Sequence, residues 1–329
     1  MTLITITDCD HGSTDPELAA AKALGAEVIV AQATTEDSIV KAALNADAIV
    51  VQYARITDAV IERLPRLRAI CRAGVGVDVV DVSAATRRGI MVTNVPDYGT
   101  EDVSDHAIAL ALSAARGIVQ LDRGLRSGSA ELGPVKPLHR FNTRTFALIG
   151  LGAIGAATAR KAKGLGYRVI AFDPTRVPGT VTDDGVEIVT FEQTLAEGDV
   201  VSLHVPLNDH THHLINADAL AKMKPNAVLV NTCRGGVVDT DALVTALKQG
   251  QIHSAALDVF EHEPIPAGHP LTALENAILT PHAAWYSEES FIELKTRSME
   301  NAIHAAEGTL TKNIVNPEVL AARPGAASA

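Results

Sequence analysis

Phe146-Ala-Leu-Ile-Gly150-Leu-Gly152-Ala-Ile-Gly155, continued by a helical stretch to Gly164 and then by Tyr167-Arg-Val-Ile-Ala-Phe-Asp173, decides the fold of this chain. A buried strand enters Gly-x-Gly-x-x-Gly, a helix follows, and a second strand ends on an acid. This is a dinucleotide-binding βαβ unit. Gly150 permits the tight turn off the strand, Gly152 lets the backbone approach a pyrophosphate, and Gly155 lets the helix pack closely. The N–H groups of the first helical turn, at Ala153 and Ile154, face the phosphates together with the positive end of the helix dipole. Asp173 follows the glycines by about 20 residues, where a carboxylate accepts from the ribose hydroxyls and repels a 2′-phosphate. The expected cofactor is therefore NAD, with Arg176 nearby tempering the preference.

The unit begins near the middle of a 329-residue chain, so a second domain precedes it. Leu3–Thr7, Glu27–Gln32, Ala48–Gln52 and Ala69–Arg72 read as strands. Asp15-Pro16-Glu17 reads as an N-cap, a proline at the first helical position and an acid in the first turn. Val92-Thr-Asn-Val-Pro96 reads as an extended segment leaving this small parallel α/β domain, and Thr100 caps one long apolar helix from Glu101 to about Arg126. After Phe146, strands are expected at 168–172, 185–189, 200–204, 227–231, 254–258 and 277–280. The long helix from Ser287 to Glu307 then returns the chain to the first domain. The expectation is α/β throughout: a Rossmann domain at 99–289, inserted in a smaller flavodoxin-like domain formed by 1–98 and 290–329, with a hinged cleft between them.

Composition narrows the class. Hydrophobic residues are 47% and charged residues 20%, as in an ordinary globular protein, and the net charge of −11 disfavours nucleic acid as a partner. No apolar run reaches membrane-spanning length. Cys9, Cys71 and Cys233 are scattered and odd in number, which fits a reducing, cytoplasmic setting and no disulfide framework. The first residues lack a basic leader and read as a strand. The Ala/Gly/Ser-rich tail, 321–329, reads as frayed. His210-Thr-His212-His213 reads as a surface loop without acidic partners, and Asp8, Asp10 and His11 as a capping turn before Asp15, so no metal site is expected.

Three strand ends carry residues suited to hydride-transfer chemistry, which needs a proton donor at a carbonyl and a cation for the substrate. They are Asn231-Thr-Cys-Arg234-Gly-Gly236, Leu257-Asp258-Val-Phe-Glu261-His262-Glu263-Pro264 and Thr280-Pro-His282-Ala-Ala-Trp285. Here the chain resembles the D-isomer-specific 2-hydroxyacid dehydrogenase family over nearly its whole length. The resemblance implies an NAD-dependent oxidoreductase of small D-2-hydroxy and 2-keto acids. In that role Arg234 binds the substrate carboxylate, His282 serves as acid/base and Glu263 is the hydrogen-bond partner of His282. It also implies that Asp258 contacts the nicotinamide amide and that the remaining cofactor contacts come from Val103, His204, Val205, Pro206, Thr211, Thr232 and Cys233.

Substrate contacts are implied at Tyr53, Arg55, Val75, Gly76 and Trp285, with Ala73-Gly74-Val75-Gly76-Val77-Asp78 receiving the carboxylate on backbone N–H groups. Phosphoglycerate dehydrogenases carry arginines in the loop of Tyr53 and Arg55, and Tyr53 at one such position speaks against 3-phosphoglycerate. The formate dehydrogenases of the superfamily carry Gln at the position of Glu263, which speaks against formate. His282-Ala-Ala-Trp285-Tyr-Ser-Glu and Thr7-Asp-Cys-Asp10 resemble the branch of C-terminal-binding-protein corepressors and their microbial relatives. Two alternatives thus accompany the reductase: an NAD(H)-responsive binding protein, and phosphite oxidation on the same fold. The expected assembly is a homodimer through helix 101–126.

Overall fold

The computed structural model describes residues 1–9, 12–309 and 312–320. Asp10, His11 and the 321–329 tail, on which expectations were placed, lie outside the described residues. The chain divides into two compact units, 1–99 with 287–329, and 100–286.

The first unit is built on β1 (Leu3–Ile6), β2 (Glu27–Val30), β3 (Ala48–Val51), β4 (Ala69–Arg72) and β5 (Met91–Thr93). All pair in parallel in the order β2-β1-β3-β4-β5. That is the flavodoxin-like order expected of the smaller domain. The strands connect through α1 (Asp15–Ala23), α2 (Glu36–Ala43), α3 (Asp58–Glu62) and α4 (Val82–Arg87). β3 is apolar throughout because both of its faces are covered. Ile39, Val40, Ile56 and Ile61 pack over one face with Ile49.

Two local expectations are corrected here. Segment 92–96 does not simply leave the domain: Met91–Thr93 forms the edge strand against β4. Asp15 is not the N-cap of α1 but its first helical residue; Thr14 precedes it without a side-chain cap, and Ser13 Oγ accepts from Asp15 N at 2.9 Å.

The second unit opens with α5 (Thr100–Ala115) and α6 (Ile118–Arg126). The single helix expected over 101–126 is broken at Gly117, which adopts φ +61°, and a Cβ there would lie 2.4 Å from Val135 Cγ1. The left-handed turn that only glycine takes cheaply redirects the chain. β6 (Thr145–Ile149), α7 (Ala153–Gly164), β7 (Arg168–Phe172), β8 (Glu187–Ile188), α8 (Phe191–Glu197), β9 (Val200–Leu203), α9 (Ala217–Lys222), β10 (Val228–Asn231), α10 (Thr240–Lys248), β11 (Ser254–Leu257) and β12 (Ala277–Leu279) follow. The sheet is parallel with the order β12-β11-β10-β9-β6-β7-β8. Strand order reverses between β6 and β9, the place where open α/β sheets bind ligands at their strand C-termini. β8 is shorter than the 185–189 expected.

α11 (Glu288–Glu307) belongs to the first unit. A reciprocal capping box between Ser287 and Ser290 starts it, and Gly308 in the left-handed conformation ends it. Its Met299, Ala302, Ile303 and Ala306 pack with Ile4, Ile6, Val50 and Cys71 on the second face of that sheet. Among the described residues no helix is long and apolar enough to cross a membrane.

Candidate active site

The glycines of the fingerprint have separable jobs in the second unit. Gly150 adopts φ +96°, and a Cβ on it would lie 2.6 Å from the His204 carbonyl oxygen. At Gly155 a Cβ would lie 2.3 Å from the Gly150 oxygen, so only glycine lets α7 sit this close to β6. Gly152, the N-cap of α7, is different: nothing lies within 4 Å of the position of a Cβ. The open space at the helix N-terminus, ahead of Ala153 and Ile154, fits a pyrophosphate.

Asp173 follows β7 directly. Its Oδ2 accepts from Leu151 N at 2.9 Å, and its Oδ1 from Thr175 N at 3.0 Å and Thr175 Oγ1 at 2.6 Å. Burial raises its pKa, but these hydrogen bonds and the charge of Arg176 outweigh burial and hold the carboxyl below the usual range. A fixed anion thus stands at the tip of β7, where the ribose of a dinucleotide lies. Asp173→Ala is expected to narrow the preference for NADH over NADPH, read by fluorescence titration of both; an unchanged ratio would remove Asp173 from the discrimination.

The loop after β9 completes this side. Burial pushes the His204 imidazole down to about 4, and its Nε2 lies 2.9 Å from Ser202 Oγ. His204 and Val205 both pack on Gly150. Thr211 Oγ1 donates to the Pro206 oxygen at 2.5 Å and accepts from Asn208 N at 2.9 Å, closing the 206–211 loop. Thr232 is buried, and its hydroxyl finds no hydrogen-bond partner among the described residues. Cys233 donates from N to Asn231 Oδ1 at 3.0 Å, and burial raises its thiol to about 11. Val103 lies half-buried on α5, one turn before His106.

Arg234, Glu263 and His282 follow β10, β11 and β12 and come together. Asn231 Nδ2 donates to the Arg234 oxygen at 2.9 Å, and Arg234 Nη1 donates to the Cys233 oxygen at 2.7 Å. Gly235 is the hidden determinant: a Cβ there would lie 1.8 Å from the Phe260 carbonyl carbon and 2.4 Å from Glu261 N. Only glycine lets the loop of Arg234 seat against the loop of Glu263. Glu263 Oε2 lies 2.6 Å from His282 Nδ1, and Oε1 accepts from Phe260 N at 2.9 Å. Burial pushes the Glu263 carboxyl up, but the hydrogen bond and charge of His282, the Phe260 N–H and the charge of Arg234 together hold it below the usual carboxylate range. An ionised Glu263 on Nδ1 assigns the exchangeable proton of His282 to Nε2.

Asp258 ties the loop of His282 together. Its side chain has no accessible surface. Oδ1 accepts from Thr280 Oγ1 at 2.6 Å and Ala283 N at 2.9 Å, and Oδ2 from Ala284 N at 2.9 Å. Its backbone oxygen accepts from His282 N at 2.8 Å. The carboxylate fastens the loop that carries His282. His282 sits in this loop at φ +52°, a left-handed conformation uncommon outside glycine. His106 Nε2 stands 3.0 Å from Thr280 Oγ1 and extends the network. His106 carries no sequence signal, and Thr280 entered only as the first residue of the His282 segment. Trp285 is buried and meets Tyr286 edge-on, with ring centroids 5.5 Å apart; Tyr286 is the exposed aromatic of the pair.

In the first unit, Tyr53 and Arg55 are exposed on the loop after β3. Asp8 builds this loop, accepting from Gln52 N, Tyr53 N and Ala54 N at 3.2, 2.6 and 3.1 Å. Asp8 therefore does not cap a turn before Asp15, as expected. Val75 and Gly76 follow β4, with the Val75 oxygen accepting from Asn94 Nδ2 at 2.6 Å and the Gly74 oxygen from Val95 N at 2.9 Å.

His213 also corrects a reading, because it does have acidic neighbours: its Nε2 is 3.4 Å from Glu261 Oε2. Glu261 in turn accepts from Thr240 N at 2.7 Å, at the start of α10. Among the described residues no group of three or more His, Cys, Asp or Glu side chains is arranged to hold a metal ion.

Residues 108–284 match the family model for the NAD-binding domain of D-isomer-specific 2-hydroxyacid dehydrogenases. A glyoxylate reductase of Korarchaeum cryptofilum is 44% identical over 290 residues, covering 87% of each chain. A D-3-phosphoglycerate dehydrogenase of Methanocaldococcus jannaschii is 40% identical over 293 residues, 88% of this chain and 55% of that one. The crystal structure of a D-lactate dehydrogenase from Aquifex aeolicus, complexed with NAD and lactic acid, superposes with a TM-score of 0.84 at 27% identity over 96% of this chain and 99% of that one. The chain belongs to the D-isomer-specific 2-hydroxyacid dehydrogenase family. It is an NAD-dependent enzyme that transfers hydride between a hydroxy acid and a keto acid.

Proposed function

We propose that the enzyme reduces a small, unphosphorylated 2-keto acid, glyoxylate first among them, with His282 as proton donor. The 2.6 Å hydrogen bond between Glu263 and His282 Nδ1 carries this reading, with Arg234 adding its charge to the same site. NADH, when bound, supplies the hydride. Arg234 holds the substrate carboxylate and orients the carbonyl. His282 delivers the proton from Nε2 to the carbonyl oxygen, and Glu263 fixes the ring and balances the charge that the imidazole carries before transfer. The Gly152 cradle and the unpartnered Thr232 hydroxyl fit a bound dinucleotide. Loops 53–55 and 75–76 are assigned to the substrate side chain and carboxylate, and Trp285 with Tyr286 to the substrate's size.

The glyoxylate reductase relatives support a metabolic reductase over a corepressor-like binding role. Nothing in the site favours phosphite over a keto acid. The decisive measurement is NADH oxidation with glyoxylate, hydroxypyruvate, pyruvate and a phosphorylated keto acid at equal concentrations. Glyoxylate is expected to give the highest kcat/KM; turnover confined to the phosphorylated acid would sink the assignment.

We further assign the enzyme to the cytoplasm as a homodimer. No residue of α6 is buried, and Ile118 and Leu125 are 53% and 68% exposed. A helix with an uncovered apolar face signals a partner surface. Leu125→Glu is expected to halve the mass seen by light scattering; a monomeric wild type would dismiss this assembly.

A further inference from the structure

Remote in sequence from the candidate triad, the first unit buries three reactive groups together. Cys9 follows β1, Glu17 lies in the first turn of α1 and Lys295 lies in α11. Lys295 Nζ is 2.8 Å from Glu17 Oε1, 3.1 Å from Cys9 Sγ and 5.1 Å from the centre of the Phe291 ring. The side chains of Lys295 and Glu17 are only 5% and 4% exposed. The second oxygen of Glu17, Oε2, is buried with no hydrogen-bond partner among the described residues.

For an ion pair that serves stability alone, this is a poor arrangement. Burying both ions costs desolvation, which full hydrogen bonding must offset. Here a donor of the ammonium is directed at sulfur, a weak acceptor, while a carboxylate oxygen stays unsatisfied. For chemistry between nitrogen and sulfur the arrangement is apt. The amine touches the thiol, and a base with spare acceptor capacity touches the amine.

We propose that Cys9 and Lys295 form a reversible oxidative cross-link that staples α11 to the segment after β1, with a peroxide as the oxidant. The Cys9 sulfur attacks one peroxide oxygen. The O–O bond breaks, an S–O bond forms, sulfur is oxidised by two electrons to the sulfenic acid, and the peroxide is reduced, its other oxygen leaving as water. Glu17 takes a proton from the Lys295 ammonium, and the neutral amine attacks sulfur. An S–N bond forms, the S–O bond breaks, and the departing hydroxide takes a proton to leave as a second water. This second step changes no net oxidation state. Thiol, amine and peroxide thus give a sulfenamide and two waters. An added thiol reverses it by attacking sulfur and releasing the amine, and a second thiol then frees Cys9 from the mixed disulfide.

Among the described residues no lysine amine bonds Cys71 or Cys233, and burial raises both thiols to about 11. The cross-link would span 286 residues of sequence within one unit, and closing so long a loop restricts the unfolded chain strongly.

The test treats the full-length reduced enzyme with hydrogen peroxide and follows intact mass, tandem mass spectra and Tm, before and after dithiothreitol. The expected product is about 2 Da lighter than the reduced chain, consistent with loss of two hydrogens. It joins the peptides of residues 9 and 295, melts several degrees higher, and reverts with dithiothreitol. Cys9→Ser and Lys295→Arg abolish the joined peptide, and Glu17→Gln slows its formation. Because the primary measurement is made on the wild-type protein, poor folding of a variant leaves it intact. Cys9 recovered as sulfinic acid or unmodified, with no peptide joined to Lys295, would overturn the proposal.

Discussion

His282→Ala is expected to lower kcat on the best keto acid by about 10²- to 10⁴-fold, the usual contribution of a positioned acid/base, while NADH binds with unchanged affinity. The two readouts separate because the residues assigned to the cofactor lie in the 150–155 turn, at Asp173 and in the 204–211 loop, on strand ends other than that of His282. Glu263→Gln preserves the shape of the 2.6 Å contact but removes its charge, and should fall between wild type and His282→Ala. Its stability effect has a defined sign. The folded carboxyl is held below the usual carboxylate range, so its contribution is present above the unfolded pKa of about 4.3 and is lost as pH falls through the lower folded value. Glu263→Gln should therefore differ from wild type in Tm at neutral pH and converge with it in acid. Wild-type turnover by His282→Ala in stopped-flow assays would end the assignment of the proton donor.

The second large effect is expected where no chemistry occurs. A Cβ at residue 235 would stand 1.8 to 2.4 Å from backbone atoms of Phe260 and Glu261. Backbone cannot rotate aside as a side chain can, so Gly235→Ala must part the loops of Arg234 and Glu263. Overpacking of this kind costs about 1–3 kcal/mol, and a displacement near 1 Å at a reacting centre costs about 10²-fold in rate. Both a lower Tm and a lower kcat are expected. Gly152→Ala is the contrast: its Cβ meets nothing within 4 Å, so the fold should be unaffected while NADH affinity falls as the methyl enters the phosphate cradle. Equal thermal stability of the two alanine variants would refute the distinction between packing and ligand-facing glycines.

Much of this site was legible because its signals are local. Gly150, Gly155 and Asp173 sit at fixed offsets in one βαβ unit, and their roles follow from strand, turn and helix geometry. The three segments that carry Arg234, Glu263 and His282 stood out as strand ends, and the resemblance to the family singled out these residues within them. What escaped was nonlocal. Gly235 reads as half of an unremarkable Gly-Gly pair until β10 and β11 are side by side. Asp258 reads as a lone strand-end acid, and its bonds to Thr280, Ala283 and Ala284 show only once β11 and β12 are side by side. Asp8 reads as a turn former near Asp15, yet its partners are 44 to 46 residues away. Gly117 escaped for a different reason: an apolar stripe on both sides of it suggests one helix, and periodicity does not register a single left-handed residue.

The Asp8 carboxylate has one more implication. Three backbone N–H groups, at 52, 53 and 54, converge on a buried anion belonging to a different strand end, while the side chains of Tyr53 and Arg55 remain exposed. The frame of this loop and the chemistry it displays are therefore encoded by different residues. Positions 53 and 55 can be exchanged without redrawing the main chain, because the fastening lies in β1's exit and not in the letters being exchanged. A change at Asp8 would instead loosen the main chain under both side chains.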